Sequence, residues 1–248
     1  DYAVGLVEIN LASRMADGTI RAYQQALTLH MMPINLIGVA ISSAAFPQLT
    51  ERLGEGREDL FRKELRGILR VIIWLALPVA VITFFTRGYV VHFIRNTGDP
   101  LMAGILGCLV IAILFRTIYH MAARAFYAQQ DTKTPLYISV FAISLNVILA
   151  IGLSMGVGMG AYGLAWAQSI VAFLEVVVLF IVMGRRMPNL FTANFVQAIA
   201  RMVMATTLMA IVCYVSVAMM PFRAEDASFF SAFPRFLIIV GVSFEIGR

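Results

Sequence analysis

Three basic side chains within one hydrophobic stretch stand at helical spacing. Arg116, His120 and Arg124 occupy positions i, i+4 and i+8 and so share one helix face, with Tyr127 one turn further on. A guanidinium group holds phosphate oxygens bidentately, so this row predicts a cationic track for a phosphate-bearing ligand. Arg116 lies about 11 residues, or ~16 Å, from the predicted cytoplasmic end of its helix, too deep for its guanidinium to snorkel comfortably. The alternatives are a structural Arg116–Glu175 pair and, for Arg124, snorkelling to the headgroups.

A second set of polar side chains lies nearer the opposite ends of the apolar stretches. Glu8, Asn146 and Gln168 are each roughly 10–14 Å deep from the outer end of their predicted helix. A carboxylate in the membrane is costly and marks a functional site by default. Their oxygens therefore predict a site for a monovalent coupling cation, sodium or a proton, with no other cofactor. The alternatives are a protonated Glu8 that is merely hydrogen-bonded and an Asn146 that bridges two helices.

The elements that position these residues are membrane-spanning helices. Hydrophobic residues make up 60% of the 248 residues, charged residues 13%, and the mean hydropathy is +0.86. A soluble domain would carry roughly 25% charged residues. Apolar blocks of about 20 residues match the ~30 Å hydrocarbon core, and backbone groups in lipid must be paired within the segment, so the blocks are helices. The prediction is an all-α polytopic bundle with five full spans and a sixth, over residues 22–49, 67–87, 101–123, 135–155, 161–183 and 195–220.

The chain ends and the charged loops complete this topology. Apolar segments at Tyr2–Ala12 and Phe233–Ile246 are too short to cross, and they predict partial helices at the ends of a fragment. Lys and Arg concentrate in the loops at 50–66, 124–134 and 184–194, which are therefore predicted to be cytoplasmic. This topology accounts for the net charge of +5 without nucleic acid as a partner.

The first of these loops contains an amphipathic segment. Five apolar residues share one helical face, and most of the charged residues lie elsewhere: Leu60, Phe61, Leu65, Ile68 and Leu69 against Arg57, Glu58, Arg62 and Arg66. This pattern predicts a helix lying at the inner surface, with its arginines contacting anionic membrane lipids. The alternative is a solvated helical loop.

Motifs that bind nucleotides or zinc in soluble enzymes are not supported by their surroundings in this sequence. Gly158, Gly160 and Gly163 match G-x-G-x-x-G, but they follow a membrane helix, so a tight outer turn with close helix packing is the better interpretation. Cys108 and Cys213 lie inside apolar spans, and neither they nor the three histidines form a zinc pattern. With no nucleophile–base pair, an enzyme is disfavoured.

The segment from Ala123 to Pro135, ARAFYAQQDTKTP, joins two predicted helices. Locally it predicts Thr134 as N-cap, Pro135 as first helical residue and Asp131 in the turn. It also resembles the hallmark of the MurJ (MviN) family at the junction of that family's tenth and eleventh helices. Other blocks agree in order and spacing over residues 8–186: Leu11–Ser13 with Asp17 and Gly18, Pro33–Ala40 with Phe46–Leu49, Leu77 and Pro78, Leu145 and Asn146, and Gly163–Ala165.

The resemblance implies a fold of the multidrug and polysaccharide exporter superfamily, with two six-helix lobes around a central cavity. Residues 1–186 are then the second lobe with a truncated first helix, and 187–248 are additional C-terminal helices with the last one truncated. It implies alternating-access flipping of lipid II, the undecaprenyl-pyrophosphate-linked peptidoglycan precursor, across the bacterial cytoplasmic membrane. The implied partners are that lipid-linked precursor and the N-terminal lobe of the same protein.

One position departs from the family pattern. Many members carry an arginine five residues before the eighth-helix proline, where this chain has Thr28. A polar or small stripe at helical spacing remains there as the candidate cargo surface: Gln24, Thr28 and Asn35, with Gly38 and Ser42. His30 lies about 200° around the helix from Thr28 and is not expected to replace the missing charge. A polysaccharide-repeat flippase, a cation-coupled drug antiporter and a non-transporting scaffold remain as alternatives.

Overall fold

The computed structural model describes residues 5, 10, 18–95 and 99–219, and these contain six helices long and apolar enough to cross a membrane. Their bounds are α1 Thr19–Gly54, α2 Glu58–Arg95, α3 Pro100–Ala128, α4 Lys133–Gly156, α5 Ala161–Arg186 and α6 Ala193–Met219. The six predicted spans are confirmed, and most helices extend beyond the predicted bounds. The predicted partial helices at the two ends lie almost wholly outside the described residues.

Helix α3 is the centre of the bundle. It packs against α1, α2 and α5, while α4 packs on α5 and α6 packs on α2. Two buried apolar clusters stabilise this arrangement, one towards each end of the helices. The first includes Phe61, Met121 and Leu179, and the second includes Tyr23 and Leu106. Burial of apolar surface between α3 and its neighbours therefore fixes how the polar residues of α3 face the other helices.

Helix α1 changes its winding in the middle. Pro33 lacks an N–H group, and the helix continues through a π-helical turn at Ile34–Val39 before returning to α-helix at Ala40–Gly54. Gly38 in this turn lies directly on α3, since a Cβ atom added there would approach the Cα of Thr117 to 2.9 Å. The glycine permits the close crossing of α1 and α3.

The glycine motif forms the turn between α4 and α5. Gly158 and Gly160 have positive φ angles of 75° and 57°, which glycine adopts without steric cost. A Cβ atom added at Gly163 would lie 2.7 Å from the backbone nitrogen of Ser154. The prediction of a tight turn with close helix packing is confirmed.

The three basic loops lie at one end of the bundle. Arg62 and Arg66 donate to the carbonyl oxygens of Pro188 and Asn189 at 3.2 and 2.8 Å, and Arg186 pairs with Asp131. Segments 50–66, 124–134 and 184–194 are therefore neighbours in space, as the charge distribution requires of cytoplasmic loops.

The separate surface helix predicted for the first loop is wrong. Helix α2 runs unbroken from Glu58 to Arg95. The predicted apolar face includes Phe61, Leu65 and Leu69, which are buried against protein and not against lipid. Sequence amphipathicity shows that a face is covered, but it does not show whether protein or lipid covers it.

The turn between α3 and α4 also differs from its predicted capping. Helix α4 begins at Lys133 with Thr132 at the N-cap position, but the side chain that caps it is Asp131: its Oδ1 accepts from the backbone N–H groups of Lys133 and Thr134, both at 3.0 Å. Thr134 is not the N-cap; its hydroxyl donates to Asp131 Oδ2 at 2.6 Å. Arg186 donates to both residues, so these hydrogen bonds hold the turn between α3 and α4 against the end of α5. This turn, within residues 123–135, is called the hallmark turn.

Charge and hydrogen bonding hold Asp131 ionised. The hydroxyl and the amide of Thr134, followed by the guanidinium of Arg186, lower the pKa of the Asp131 carboxyl from 3.8 to about 2. The carboxylate is thus present throughout the physiological pH range.

Candidate functional site

A cavity of about 430 Å³ opens between helices α1, α3, α4 and α5. Nine of the side chains that line it are polar: His30, Asn35, Arg116, Tyr119, His120, Ser139, Asn146, Gln168 and Glu175. Polar groups at this depth of a membrane protein face the protein interior or water, because lipid cannot solvate them. The cavity is therefore the candidate functional site.

Arg116 projects from α3 towards α5. Its Nη2 donates to the side-chain oxygen of Gln168 at 2.7 Å. The predicted Arg116–Glu175 pair is not formed in this structure, although both side chains line the cavity. A guanidinium carries five N–H donors, and the contact with Gln168 uses one of them. Arg116 therefore retains donors for a ligand.

Glu175 is hydrogen-bonded to an uncharged partner. Its side chain is 7% exposed, and Oε1 accepts from the hydroxyl of Ser139 on α4 at 3.1 Å. The hydroxyl of Tyr119 lies 2.8 Å from the same Ser139 oxygen. A serine has a single O–H, so when Glu175 is ionised Ser139 donates to it and accepts from Tyr119, whereas a protonated Glu175 can reverse both bonds. Three helices thus share one hydrogen-bonded chain that ends on a buried carboxyl group.

Asn146 is a buried side chain with no hydrogen-bond partner among the described residues. It is 2% exposed, its Oδ1 and Nδ2 both lack a partner there, and the residue lines the cavity. Leaving buried polar atoms unpaired costs about 1–3 kcal/mol. Such a cost is typical of a functional site. The Asn146 amide offers one acceptor oxygen and two N–H donors to a ligand at the lining of the cavity.

The predicted residues divide into those within the cavity and those outside it. Arg116, His120, Asn35, Asn146 and Gln168 line it. Arg124 lies one turn beyond His120 and does not line the cavity. Two of the three basic residues in the predicted row, Arg116 and His120, therefore belong to the cavity. Gln24 and Thr28 are exposed on another face of α1, where the Thr28 hydroxyl donates to the Gln24 carbonyl at 2.9 Å. Glu8 lies outside the described residues.

Four cavity residues were not predicted as site residues, and one of them, Glu175, was expected only as a structural partner of Arg116. His30 lines the cavity on α1, with its Nδ1 2.6 Å from the carbonyl oxygen of Leu27, and the others are Tyr119, Ser139 and Glu175. A signal for two of them was present. Ser139 stands seven residues before Asn146, and Glu175 seven residues after Gln168, a spacing that places each pair on one helix face.

The proposed cation ligands are only partly brought together. Asn146 and Gln168 line the same cavity, but the Gln168 oxygen already accepts from Arg116. Among the described residues no three His, Cys, Asp or Glu side chains cluster, a result that does not bear on a site built from amide oxygens.

Comparison with known proteins gives consistent results. The family model described as "Lipid II flippase MurJ" matches residues 2–233. The probable lipid II flippase MurJ of Thermotoga maritima is 25% identical over 210 residues, covering 82% of this chain and 42% of that protein. That of Haemophilus influenzae is 29% identical over 232 residues, covering 74% of this chain and 44% of the relative. The chain thus spans less than half the length of these curated relatives.

Solved structures show the same fold. A lipid II flippase MurJ in an inward closed conformation has a TM-score of 0.76 at 20% identity, covering 98% of this chain and 50% of that one. An outward-facing multidrug transporter of the MATE family has a TM-score of 0.69 at 11% identity, covering 99% and 59%. The predicted all-α membrane bundle, with a fold shared with MurJ and MATE transporters, is confirmed for the described residues.

The described helices and the matched relatives place the chain as a multi-pass protein of the bacterial inner membrane. The resemblance carried by the hallmark turn is supported by a match over nearly the whole sequence. This chain belongs to the lipid II flippase MurJ family.

Proposed function

We propose that this chain supplies the second lobe of a transporter that flips lipid II from the inner to the outer leaflet by alternating access. The observation that carries the proposal is Arg116, a permanently charged group in a 430 Å³ cavity between membrane helices of a chain from this family. The activity is transport and not catalysis.

The charges of the cavity favour an anionic cargo. Among the described lining residues the guanidinium of Arg116 is permanently charged, whereas the carboxyl group of Glu175 is hydrogen-bonded to the neutral hydroxyl of Ser139. A cationic drug would be repelled by Arg116, whereas a pyrophosphate would accept bidentate hydrogen bonds from it. We assign Arg116, His120 and Asn35 to the cargo headgroup. Gln24, Thr28 and Arg124 do not line the cavity and are not assigned to it.

Three further assignments belong to this proposal. A coupling cation, sodium or a proton, would use Asn146 with Glu8, and it would compete with Arg116 for the oxygen of Gln168. Residues 1–186 form the lobe and 187–248 the additional helices, with an N-terminal lobe as partner. The exposed Arg57 contacts anionic lipid, whereas Arg62 and Arg66 use donors on protein carbonyls.

The test is complementation in a bacterium depleted of its own lipid II flippase, with the full-length protein that contains this chain. We expect Arg116→Ala to abolish growth while the protein accumulates normally in the membrane. Arg124→Ala is the matched control, because it removes an arginine of the same helix outside the cavity, and it should support growth. Full growth with Arg116→Ala would overturn the assignment of the cavity to cargo.

A further inference from the structure

Glu175 and Arg116 are opposite charges that share one cavity without pairing. Arg116 donates to Gln168, and Glu175 accepts from Ser139. Gln168 and Glu175 stand seven residues apart on α5, about two helical turns along one face. The guanidinium on α3 thus faces an α5 surface that offers it a neutral amide oxygen or a carboxylate.

The charge of Glu175 decides which of these acceptors Arg116 prefers. A carboxylate at this depth is costly unless a cation pairs with it, whereas a neutral carboxyl group is satisfied by the hydroxyl of Ser139. Arginine does not lose its proton, so Arg116 remains the cation that can compensate the ionised form. The observed arrangement, with Arg116 on Gln168, is the one expected when Glu175 carries a proton.

We infer that Glu175 is a proton-binding site whose ionisation draws Arg116 from Gln168 to itself. One proton passes from the carboxyl group to the solvent, Arg116 keeps its own protons, and no other covalent bond of the protein changes. For its role in transport, the inference rests on the proposed function. A cargo phosphate would compete with the carboxylate for Arg116. Binding of the headgroup would therefore be linked to proton uptake at Glu175, and ionisation of Glu175 would weaken binding.

Other groups around Glu175 also titrate or hydrogen-bond. Helix α3 contributes Arg116, Tyr119 and His120, α4 contributes Ser139 and Asn146, α1 contributes His30, and α5 itself contributes Gln168. Among these described groups the two histidines are the ones that titrate near neutral pH in water. The experiment must therefore observe the carboxyl group directly.

The test is infrared titration of the full-length protein in lipid nanodiscs without cargo, following the C=O stretching band of protonated carboxylic acids. We expect a band that disappears as the pH rises and is missing in Glu175→Gln. Glu64→Gln is the control, since Glu64 pairs with Arg52 at 2.9 Å outside the cavity, and it should leave this band unchanged. A band that persists in Glu175→Gln would overturn the inference.

Two variants test the exchange of partners. Gln168→Leu removes the competing acceptor, so Glu175 should lose its proton at lower pH than in the unaltered protein. Arg116→Gln removes the compensating cation, so the proton should persist to higher pH. Identical titrations in the two variants would exclude the exchange. A titration that moves with sodium concentration would assign the cavity to sodium and overturn the inference as well.

A further variant and a combined result distinguish failure of this inference from failure of the proposed function. Should Glu175→Gln fail to accumulate, Ser139→Ala serves instead, because loss of its hydrogen bond must change the frequency of the Glu175 band. An unchanged frequency contradicts the inference. The titration contains no cargo, so a normal band together with absent flipping would contradict the proposed function alone.

Discussion

Replacement of Asp131 by alanine tests the structural role of the hallmark turn. The variant loses the acceptor for the N–H groups of Lys133 and Thr134 and the partner of Arg186. Loss of an N-cap costs typically about 1 kcal/mol. The pair with Arg186, whose side chain is 45% exposed, adds roughly 0.2–1 kcal/mol. We expect Asp131→Ala to lower the free energy of unfolding by roughly 1–2 kcal/mol.

The assay is reversible unfolding in mixed micelles titrated with a denaturing detergent. Asp131→Asn separates the two contributions, since asparagine caps a helix as well as aspartate does, and it should cost no more than about 1 kcal/mol. Asp59→Ala, at an exposed position in the first turn of α2, is the control and should change stability little. Equal losses in Asp131→Asn and Asp131→Ala, or no loss in either, would refute the capping argument.

Three further predictions concern other parts of the bundle. Gly38→Val should destabilise the protein, because its Cβ would press on the backbone of Thr117 at 2.9 Å, whereas Gly67→Ala has open space and should not; thermal unfolding compares them. Asn146→Leu should leave stability unchanged or raise it by about 1 kcal/mol, while flipping in proteoliposomes falls; a large loss of stability would show that the amide is satisfied. The pKa of Asp131 is lowered, so the bonds of its carboxylate stabilise the fold fully above pH 3.8, and this stability should be lost as the pH falls towards about 2. Measuring the free energy of unfolding against pH checks this, and Asp131→Asn should remove that pH dependence.

The spans, and the grouping of the basic loops at one end of the bundle, were predictable because they depend on local composition. About 20 apolar residues suffice to specify a membrane helix, and an excess of arginine in alternate loops specifies its direction. The same logic placed Arg116 in a polar interior, since a charge so deep cannot face lipid. These inferences need no knowledge of which helices touch.

The partners within the cavity depend on packing and were not predictable in the same way. Spacing showed that Gln24 and Thr28 share a face of α1, but not that the roughly opposite face with His30 meets the cavity. Likewise, similar depth made Glu175 a plausible partner for Arg116, whereas the packing of α3 on α5 gives it Gln168. Depth is a property of the sequence, and rotation about the helix axis is a property of the fold.

The most direct test of the central claim is lipid II flipping by the purified full-length protein in proteoliposomes. Lipid II is placed in the inner leaflet, and its appearance in the outer leaflet is read with a membrane-impermeant reagent. We predict flipping by the unaltered protein and by Arg124→Ala, and its loss in Arg116→Ala with correct folding. Flipping by Arg116→Ala at the unaltered rate would contradict the claim that the cavity binds the cargo headgroup.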